Sequence, residues 1–193
     1  MDPSRYDETA SLRDGAPVRL RAIRPADAAA LKEGFAHLSD RSIYQRFFQV
    51  KHELTDTELK YLTELDFSTH IALVAVVPAE TPEGQVIGVG RLVRGKHDGS
   101  AEVAFVVGDE FQGRGVGSLL LEHLARIGRA IGVKSLEADV LVDNSQMLEV
   151  FQHSGLGIEQ GLRDGVVHVR LDLQAPPAGE PSGGAAGPAE ASL

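Results

Sequence analysis

Three glycines within five positions, Gly113, Gly115 and Gly117, form the most distinctive local feature of the sequence. Leucines at the spacing of a helix face follow them directly, beginning at Leu120. Glycine leaves the backbone open to a ligand, and the first turn of a helix offers unpaired N–H groups at the positive end of the helix dipole. Such a loop favours a phosphate or pyrophosphate group.

Two common nucleotide-binding patterns do not account for this loop. The dinucleotide fingerprint G-x-G-x-x-G is met at its first two glycines, but Ser118 stands at the third position. The loop also lies in mid-chain after a predicted hairpin, rather than at the start of a repeating βαβ fold. The triphosphate-binding loop needs a Gly-Lys-Ser/Thr run, which does not follow here. A glycine-rich turn without a ligand is the remaining structural interpretation.

A single carboxylate interrupts the apolar run AEVAFVV, residues 101–107, at Glu102. Burial of a carboxylate is unfavourable unless the group is paired or used, and burial raises the pKa of a carboxyl group. The alternative is a side chain that points to solvent, because Glu102 stands near the start of the predicted strand.

The elements that position these residues follow from hydrophobic periodicity and capping signals. The predicted strands span residues 18–23, 70–77, 86–93, 101–107, 136–142, 158–161 and 166–173. The predicted helices span 25–37, two segments capped by Ser39 and Thr55, the segment from the glycine loop to 131, and 145–154. The order β-α-α-α-β-β-β-α-β-α-β-β predicts a mixed α/β or α+β fold with antiparallel strands early in the chain.

Composition excludes several classes of protein. A net charge of −9 argues against general affinity for nucleic acid, and no apolar run approaches the length of a membrane span. Without cysteine, and with seven histidines that show no close pair at ligand spacing, we expect no disulfide and no metal site. We expect a cytoplasmic protein with a flexible segment 1–16, one domain 17–173, and a disordered Ala/Gly/Pro-rich tail 174–193.

One known pattern fits the loop fully. The residues QGRGVG, 112–117, match the Q/R-x-x-G-x-G/A signature of the GNAT N-acetyltransferases, which the chain resembles from about Val18 to Leu173. The stretch 144–155 is similar to the second coenzyme A motif of that family, with Leu156 in place of an aromatic residue, and LRAIRPAD, 20–27, is similar to its first strand and helix entry. The resemblance implies a central, mostly antiparallel, twisted sheet of about seven strands, flanked by helices and splayed at the acetyl-CoA site.

The resemblance also implies the contacts of acetyl-CoA. The pyrophosphate would lie on the backbone N–H groups of Gly113 to Ser118, and the pantetheine arm along the fourth predicted strand. Asn144 would bond the same arm, although it is also a candidate helix N-cap. Arg114 and Arg126 are candidates for phosphate pairing, with a solvated helix face as the alternative for Arg126. The expected cofactor-binding residues are Phe105, Val106, Val107, Gln112, Gly113, Arg114, Gly115, Val116, Gly117, Ser118, Asn144 and Phe151.

The implied chemistry is acetyl transfer to a primary amine, with Glu102 as general base. An amine such as lysine is protonated at neutral pH and must lose a proton before it attacks. Histone-type members of the superfamily carry their catalytic glutamate in a similar Ala-Glu context. Many members protonate the leaving thiolate with a tyrosine where this chain has Phe151; Ser154 is a candidate substitute here, and His153 a poorer one.

The residues 39–48, 62–66 and 70–75 resemble the acetyltransferase domain of bacterial protein lysine acetyltransferases of the Pat type. This resemblance implies a protein lysine as acceptor, as in an acyl-CoA synthetase, and a monomer or homodimer. We expect a catalytic domain without the fused regulatory domain of that type. Two alternatives stay open: an acetyltransferase of small-molecule amines, and a non-catalytic acyl-CoA sensor.

Overall fold

The computed structural model describes residues 1–79, 83–95 and 99–174. Within them, one mixed sheet of eight strands runs in the spatial order β1-β2-β3-β4-β5-β6-β8-β7. All neighbouring strands are antiparallel except β5 and β6. The strands are β1 Asp7–Ser11, β2 Pro17–Ala22, β3 His70–Val77, β4 Gln85–Arg94, β5 Ser100–Val107, β6 Ser135–Leu141, β7 Gly157–Arg163 and β8 Val166–Asp172. The α-helices are α1 Ala28–Ala36, α2 Asp40–Phe47, α3 Asp56–Thr63, α4 Val116–Ala130 and α5 Ser145–Gln152.

Two helices begin where their capping residues predict. The Ser39 hydroxyl accepts a hydrogen bond from the N–H of Ser42 at 3.3 Å and starts α2. Thr55 and Glu58 form a reciprocal capping box, in which each side chain accepts from the other residue's N–H, and start α3. These contacts satisfy N–H groups that a helix leaves unpaired at its start, so the sequence signal has a direct structural cause.

A buried ion pair fixes the passage from β2 into α1. Arg21 donates two hydrogen bonds to Asp27, at 2.7 and 2.8 Å, and the N–H of Arg24 donates a third. The two side chains are only 7% and 9% exposed. Burial acts to raise the pKa of Asp27, but the hydrogen bonds from Arg21 and Arg24 outweigh it and hold that pKa below its usual value.

The helices cover the sheet in two hydrophobic layers. The larger core lies on the face covered by α4 and α5 and includes Leu120, Leu124 and Phe151. The smaller core lies beneath α1, α2 and α3 and includes Phe35 and Ile43. The sheet is therefore buried on both faces at its centre, as the near-continuous burial of β3 also shows.

Glycines in β4 let α4 lie close to the sheet. A Cβ atom at Gly88 would stand 2.9 Å from Val116 Cγ1, and one at Gly90 would stand 3.0 Å from Leu124 Cδ1. A Cβ atom at either position would force the side chain of Val116 or Leu124 to move. The start of α4, where the glycine loop ends, is thus held against the middle of the sheet.

The expectation of a flexible segment 1–16 is wrong. Residues Asp7–Ser11 form β1, which pairs antiparallel with β2 along its whole length. Tyr6 and Leu12 are buried in the larger core, at 6% and 3% exposure. Short polar residues dominate this segment, so its periodicity is too weak to reveal a strand. The expected disordered tail, 174–193, lies outside the described residues except for Gln174.

Candidate functional site

The strands β5 and β6 run side by side for only three residues. Ser100–Glu102 pair with Ser135–Glu137 in parallel, whereas β5 stays paired with β4 as far as Val107. β6 pairs along its whole length with β8. The two strands therefore diverge after Glu102, and a cavity of about 640 Å³ lies against the diverging part. The predicted splay of the sheet is confirmed.

The glycine loop lines this cavity with unpaired backbone donors. Gly115 caps α4 with a φ of +91°, a conformation that side chains with a Cβ rarely adopt. Its carbonyl accepts the first hydrogen bond of the helix, from Leu119. The N–H groups of Val116, Gly117 and Ser118 have no acceptor among the described residues, and all three residues line the cavity. The cavity wall here carries the positive end of the α4 dipole.

Eleven of the twelve residues expected to bind the cofactor line this one cavity. They come from β5, from the loop, from the start of α4 and from α5, and Glu102 lines the cavity with them. They are Phe105, Val106, Val107, Gln112, Gly113, Gly115, Val116, Gly117, Ser118, Asn144 and Phe151.

Arg114 is the expected residue that does not line the cavity. Its side chain pairs with Asp14, with Nε and a terminal nitrogen both 2.7 Å from Asp14 Oδ2, and lies over the ring of Phe111. Arg126, the other candidate, bonds the Tyr6 hydroxyl and the Glu8 carboxylate. Both guanidinium groups are already engaged with partners on the N-terminal segment.

Of the two positions that the sequence left open for Glu102, buried or facing solvent, the structure shows the exposed one. Its side chain is exposed and faces the cavity, since Ala101 and Val103 take the positions that point into the larger core. Glu102 is thus reachable by a substrate, as a general base must be.

Two basic side chains that were not predicted from the sequence, Arg46 and Arg91, lie in this part of the structure. Arg46 of α2 lines the cavity, and burial lowers its pKa although the charge of Glu102 acts to raise it. Arg91 of β4 is 6% exposed, and its terminal nitrogen Nη1 lies 3.4 Å from Nε2 of His70. Burial, followed by the charge of Arg46, lowers the pKa of Arg91 to about 9. The sequence feature that could have indicated these basic residues is Arg91 itself, the one charged residue in the apolar run 86–93.

Asp109 and Gln112 tie α2 to the rim of the cavity. The Asp109 carboxylate accepts hydrogen bonds from the Ser39 N–H, at 2.7 Å, and from the Ser42 hydroxyl. The Gln112 amide donates to Ser42, to Asp109 and to the carbonyl of Val107. The negative charge of Asp109 also stabilises the start of α2. This cluster holds α2, and with it Arg46, against the end of β5.

The two candidate proton donors at the end of α5, Ser154 and His153, differ in whether they line the cavity. Phe151 is buried and packs edge-on against Phe105, with ring centroids 6.1 Å apart. The Ser154 hydroxyl donates to the carbonyl of Phe151 and does not line the cavity. His153 is exposed and lines the cavity. Asn144 accepts from the N–H of Met147 and so is the N-cap of α5 as well as a lining residue.

The described ranges contain no cluster of three or more side chains that could hold a metal ion. None of the helices described is both long and apolar enough to cross a membrane.

The family model of the acetyltransferase (GNAT) domain matches residues 18–157. Acetyltransferase Pat of Mycolicibacterium smegmatis is 36% identical over 164 residues, which are 84% of this chain and 47% of Pat. Acetyltransferase PA5475 of Pseudomonas aeruginosa is 29% identical over 126 residues, 65% of this chain and 67% of that protein. The chain therefore spans about half the length of Pat.

Solved structures share the fold. The crystal structure of the GNAT domain of S. lividans PAT is 35% identical, with a TM-score of 0.77, and the match covers 86% of this chain and 96% of that domain. YncA from Salmonella typhimurium, solved with its cofactor acetyl-CoA, is 21% identical with a TM-score of 0.65, and the match covers 83% of this chain and 97% of YncA. The likeness to YncA concerns the fold alone.

Proposed function

Because the chain belongs to the GNAT acetyltransferase family, whose members use acetyl-CoA as co-substrate, we propose that it acetylates the side-chain amine of a protein lysine. The single observation that carries this proposal is the cavity at the splayed strands, which joins an anion-binding loop to an accessible carboxylate, Glu102. Similarity to Pat and to the GNAT domain of S. lividans PAT supports the protein-lysine acceptor.

The residues present fit the two chemical parts of acetyl-CoA. The unpaired N–H groups of Val116 to Ser118 are suited to a pyrophosphate, and the positive end of α4 favours its charge. The edge of β5 from Val103 to Val107 is not paired with β6. Its backbone N–H and C=O groups on that side are therefore suited to hydrogen bonds with the amides of the pantetheine arm. An acetyl group on that arm would lie toward Glu102, at the point where the strands part.

Glu102 is proposed to act as general base. A lysine amine has a pKa near 10.4 in water and enters mostly protonated. Glu102 takes that proton, directly or through water, and the free nitrogen bonds to the acetyl carbon. The carbon–sulfur bond then breaks, coenzyme A leaves as the thiolate, and the thiolate takes up a proton. His153 lines the cavity and is the proposed donor for this last step.

The variant Glu102→Gln tests this assignment, since it keeps the shape of the side chain and removes the proton acceptor. We expect kcat to fall by roughly 100-fold or more while acetyl-CoA affinity, measured by calorimetry, stays the same. The ascending limb of the pH profile of kcat should also disappear. A matched control is Glu149→Gln, because Glu149 also lines the cavity but lies on α5. Near-normal kcat with an unchanged pH limb in Glu102→Gln would place the base elsewhere.

A small amine that carries an acidic group is the second candidate acceptor. Arg46 lines the cavity, and among the described residues neither it nor Arg91 has a carboxylate ion-pair partner. An acceptor with a carboxylate or similar group would supply that partner. Turnover of acetyl-CoA against an acyl-CoA synthetase, lysine peptides and acidic amines separates the two acceptors. Binding without turnover on any of them would favour the non-catalytic sensor instead.

A further inference from the structure

The turn between β1 and β2 lies directly on the glycine loop. The N–H of Arg13 donates to the carbonyl of Arg114 at 3.0 Å, and Asp14 pairs with the Arg114 side chain. The side chain of Arg13 runs over Gly115: a Cβ built on that glycine would stand 3.0 Å from Arg13 Cγ and 3.4 Å from Arg13 Nε. The turn thus places a second arginine above the loop.

The two arginines at the loop differ in what they contact. Arg114 is neutralised by Asp14 and does not line the cavity. Arg13 is exposed, lines the cavity beside Gly113, Gly115 and Gly117, and its guanidinium has no hydrogen-bond or ion-pair partner among the described residues. The unneutralised cation next to the unpaired N–H groups is therefore Arg13.

We propose that Arg13 binds a phosphate group of acetyl-CoA, so that the N-terminal hairpin forms part of the cofactor site. A guanidinium presents two parallel N–H donors that match two oxygens of a phosphate group. This proposal rests on the placement of acetyl-CoA in the proposed function. It extends the site to a segment that lies before residue 18, where the match to the family model begins.

The test compares cofactors with and without phosphate. Arg13→Met keeps the stem that packs over Gly115 and removes the charge, and its acetyl-CoA Kd, measured by calorimetry, should rise by roughly 10-fold or more. The kcat and KM for S-acetylpantetheine, which lacks every phosphate, should stay at the wild-type values. Arg5→Met is the matched control, because Arg5 is on the same segment but pairs with Asp2 away from the cavity.

Acetyl-dephospho-CoA then identifies the group involved. If the Arg13→Met effect persists with this analogue, Arg13 contacts the pyrophosphate; if it vanishes, Arg13 contacts the 3′-phosphate. A Kd for acetyl-CoA within twofold of wild type would overturn the proposal, as would an equal loss with S-acetylpantetheine. The variant Gly117→Glu tests the proposed cofactor placement separately. If that placement is wrong, Gly117→Glu binds acetyl-CoA normally. If only the Arg13 proposal is wrong, Gly117→Glu still loses acetyl-CoA binding.

Discussion

Gly115 and Gly117 differ in what an added side chain would meet. Gly115 has a φ of +91° and lies beneath the Arg13 side chain, so any replacement there strains the backbone as well as the site. Gly117 lies inside the first turn of α4, and a Cβ atom there would meet only Val150 Cγ2, at an ordinary 3.5 Å. A side chain at Gly117 therefore tests the cavity without disturbing the fold.

Gly117→Glu is expected to abolish acetyl-CoA binding while the protein stays folded. The new side chain places bulk and a negative charge beside the N–H groups proposed for the pyrophosphate. Calorimetry should show a Kd raised at least about 100-fold, the order expected when a charged contact is lost and a like charge is added. Gly34→Glu is the matched control, because Gly34 is an exposed glycine within α1. Wild-type affinity in folded Gly117→Glu would refute the assignment of the loop.

The positions of several side chains of the site could not be predicted, because they depend on contacts between strands and helices that are distant in sequence. Glu102 could be placed in an apolar strand, but the sequence left open whether it is buried, because this depends on which face of β5 packs into the larger core. Arg13 belongs to a polar segment, and its position over Gly115 depends on the pairing of β1 with β2. The motif residues of the loop needed no such information, since the glycine turn and the helix that follows it are set by the local sequence.

At the scale of elements, prediction succeeded where the signals are local. The helices α2 and α3 begin at the predicted caps, and β3 spans the predicted residues His70–Val77. The strand β1 was missed because DETAS alternates only between exposed and intermediate positions, with no buried apolar face of its own. β1 is held in place by its pairing with β2 and by the contacts of Tyr6. Neither of these can be predicted from the local sequence pattern.

The ion pair that begins α1 is expected to contribute strongly to stability. Asp27→Asn leaves Arg21 buried at 6% exposure without its counter-ion, which should lower the free energy of unfolding by about 3–5 kcal/mol. Asp7→Asn is the control, because Asp7 pairs with Arg19 at 38% and 51% exposure, and solvent screening leaves such an exposed pair little effect on stability. Urea unfolding measures both variants. Equal, small losses would show that Arg21 finds another partner.

At the scale of the whole molecule, the N-terminal segment is joined to α4 by a buried polar network. The Tyr6 hydroxyl lies 2.7 Å from Nδ1 of His123, and Arg126 contacts both. Burial, followed by the charge of Arg126, lowers the pKa of His123. Burial likewise raises the pKa of Tyr6, to about 12. Both groups are therefore held neutral in the folded protein near neutral pH.

The network predicts that acid weakens the folded state. The unfolded chain takes up a proton on His123 near pH 6.5, whereas the folded chain resists it to lower pH, so the unfolded state binds more protons and stability falls as pH drops below about 6.5. Urea unfolding at pH 7.5 and 5.5 should show a smaller loss in His123→Gln than in wild type. His37→Gln, at an exposed histidine, is the control. An equal loss in His123→Gln and wild type would contradict this role.

The divergence of β5 from β6 also bears on self-association. Unpaired strand edges are templates for the strands of other molecules, and an open sheet has two outer edges. Here those edges are β1, which is five residues long with Asp7 and Glu8 near its start, and β7, which carries Glu159 and Arg163. The apolar edge of β5 instead borders the cavity, between α2 and α5. The unpaired apolar edge therefore borders the cavity, whereas the two outer edges of the sheet carry charged residues, which disfavour pairing between copies of the protein.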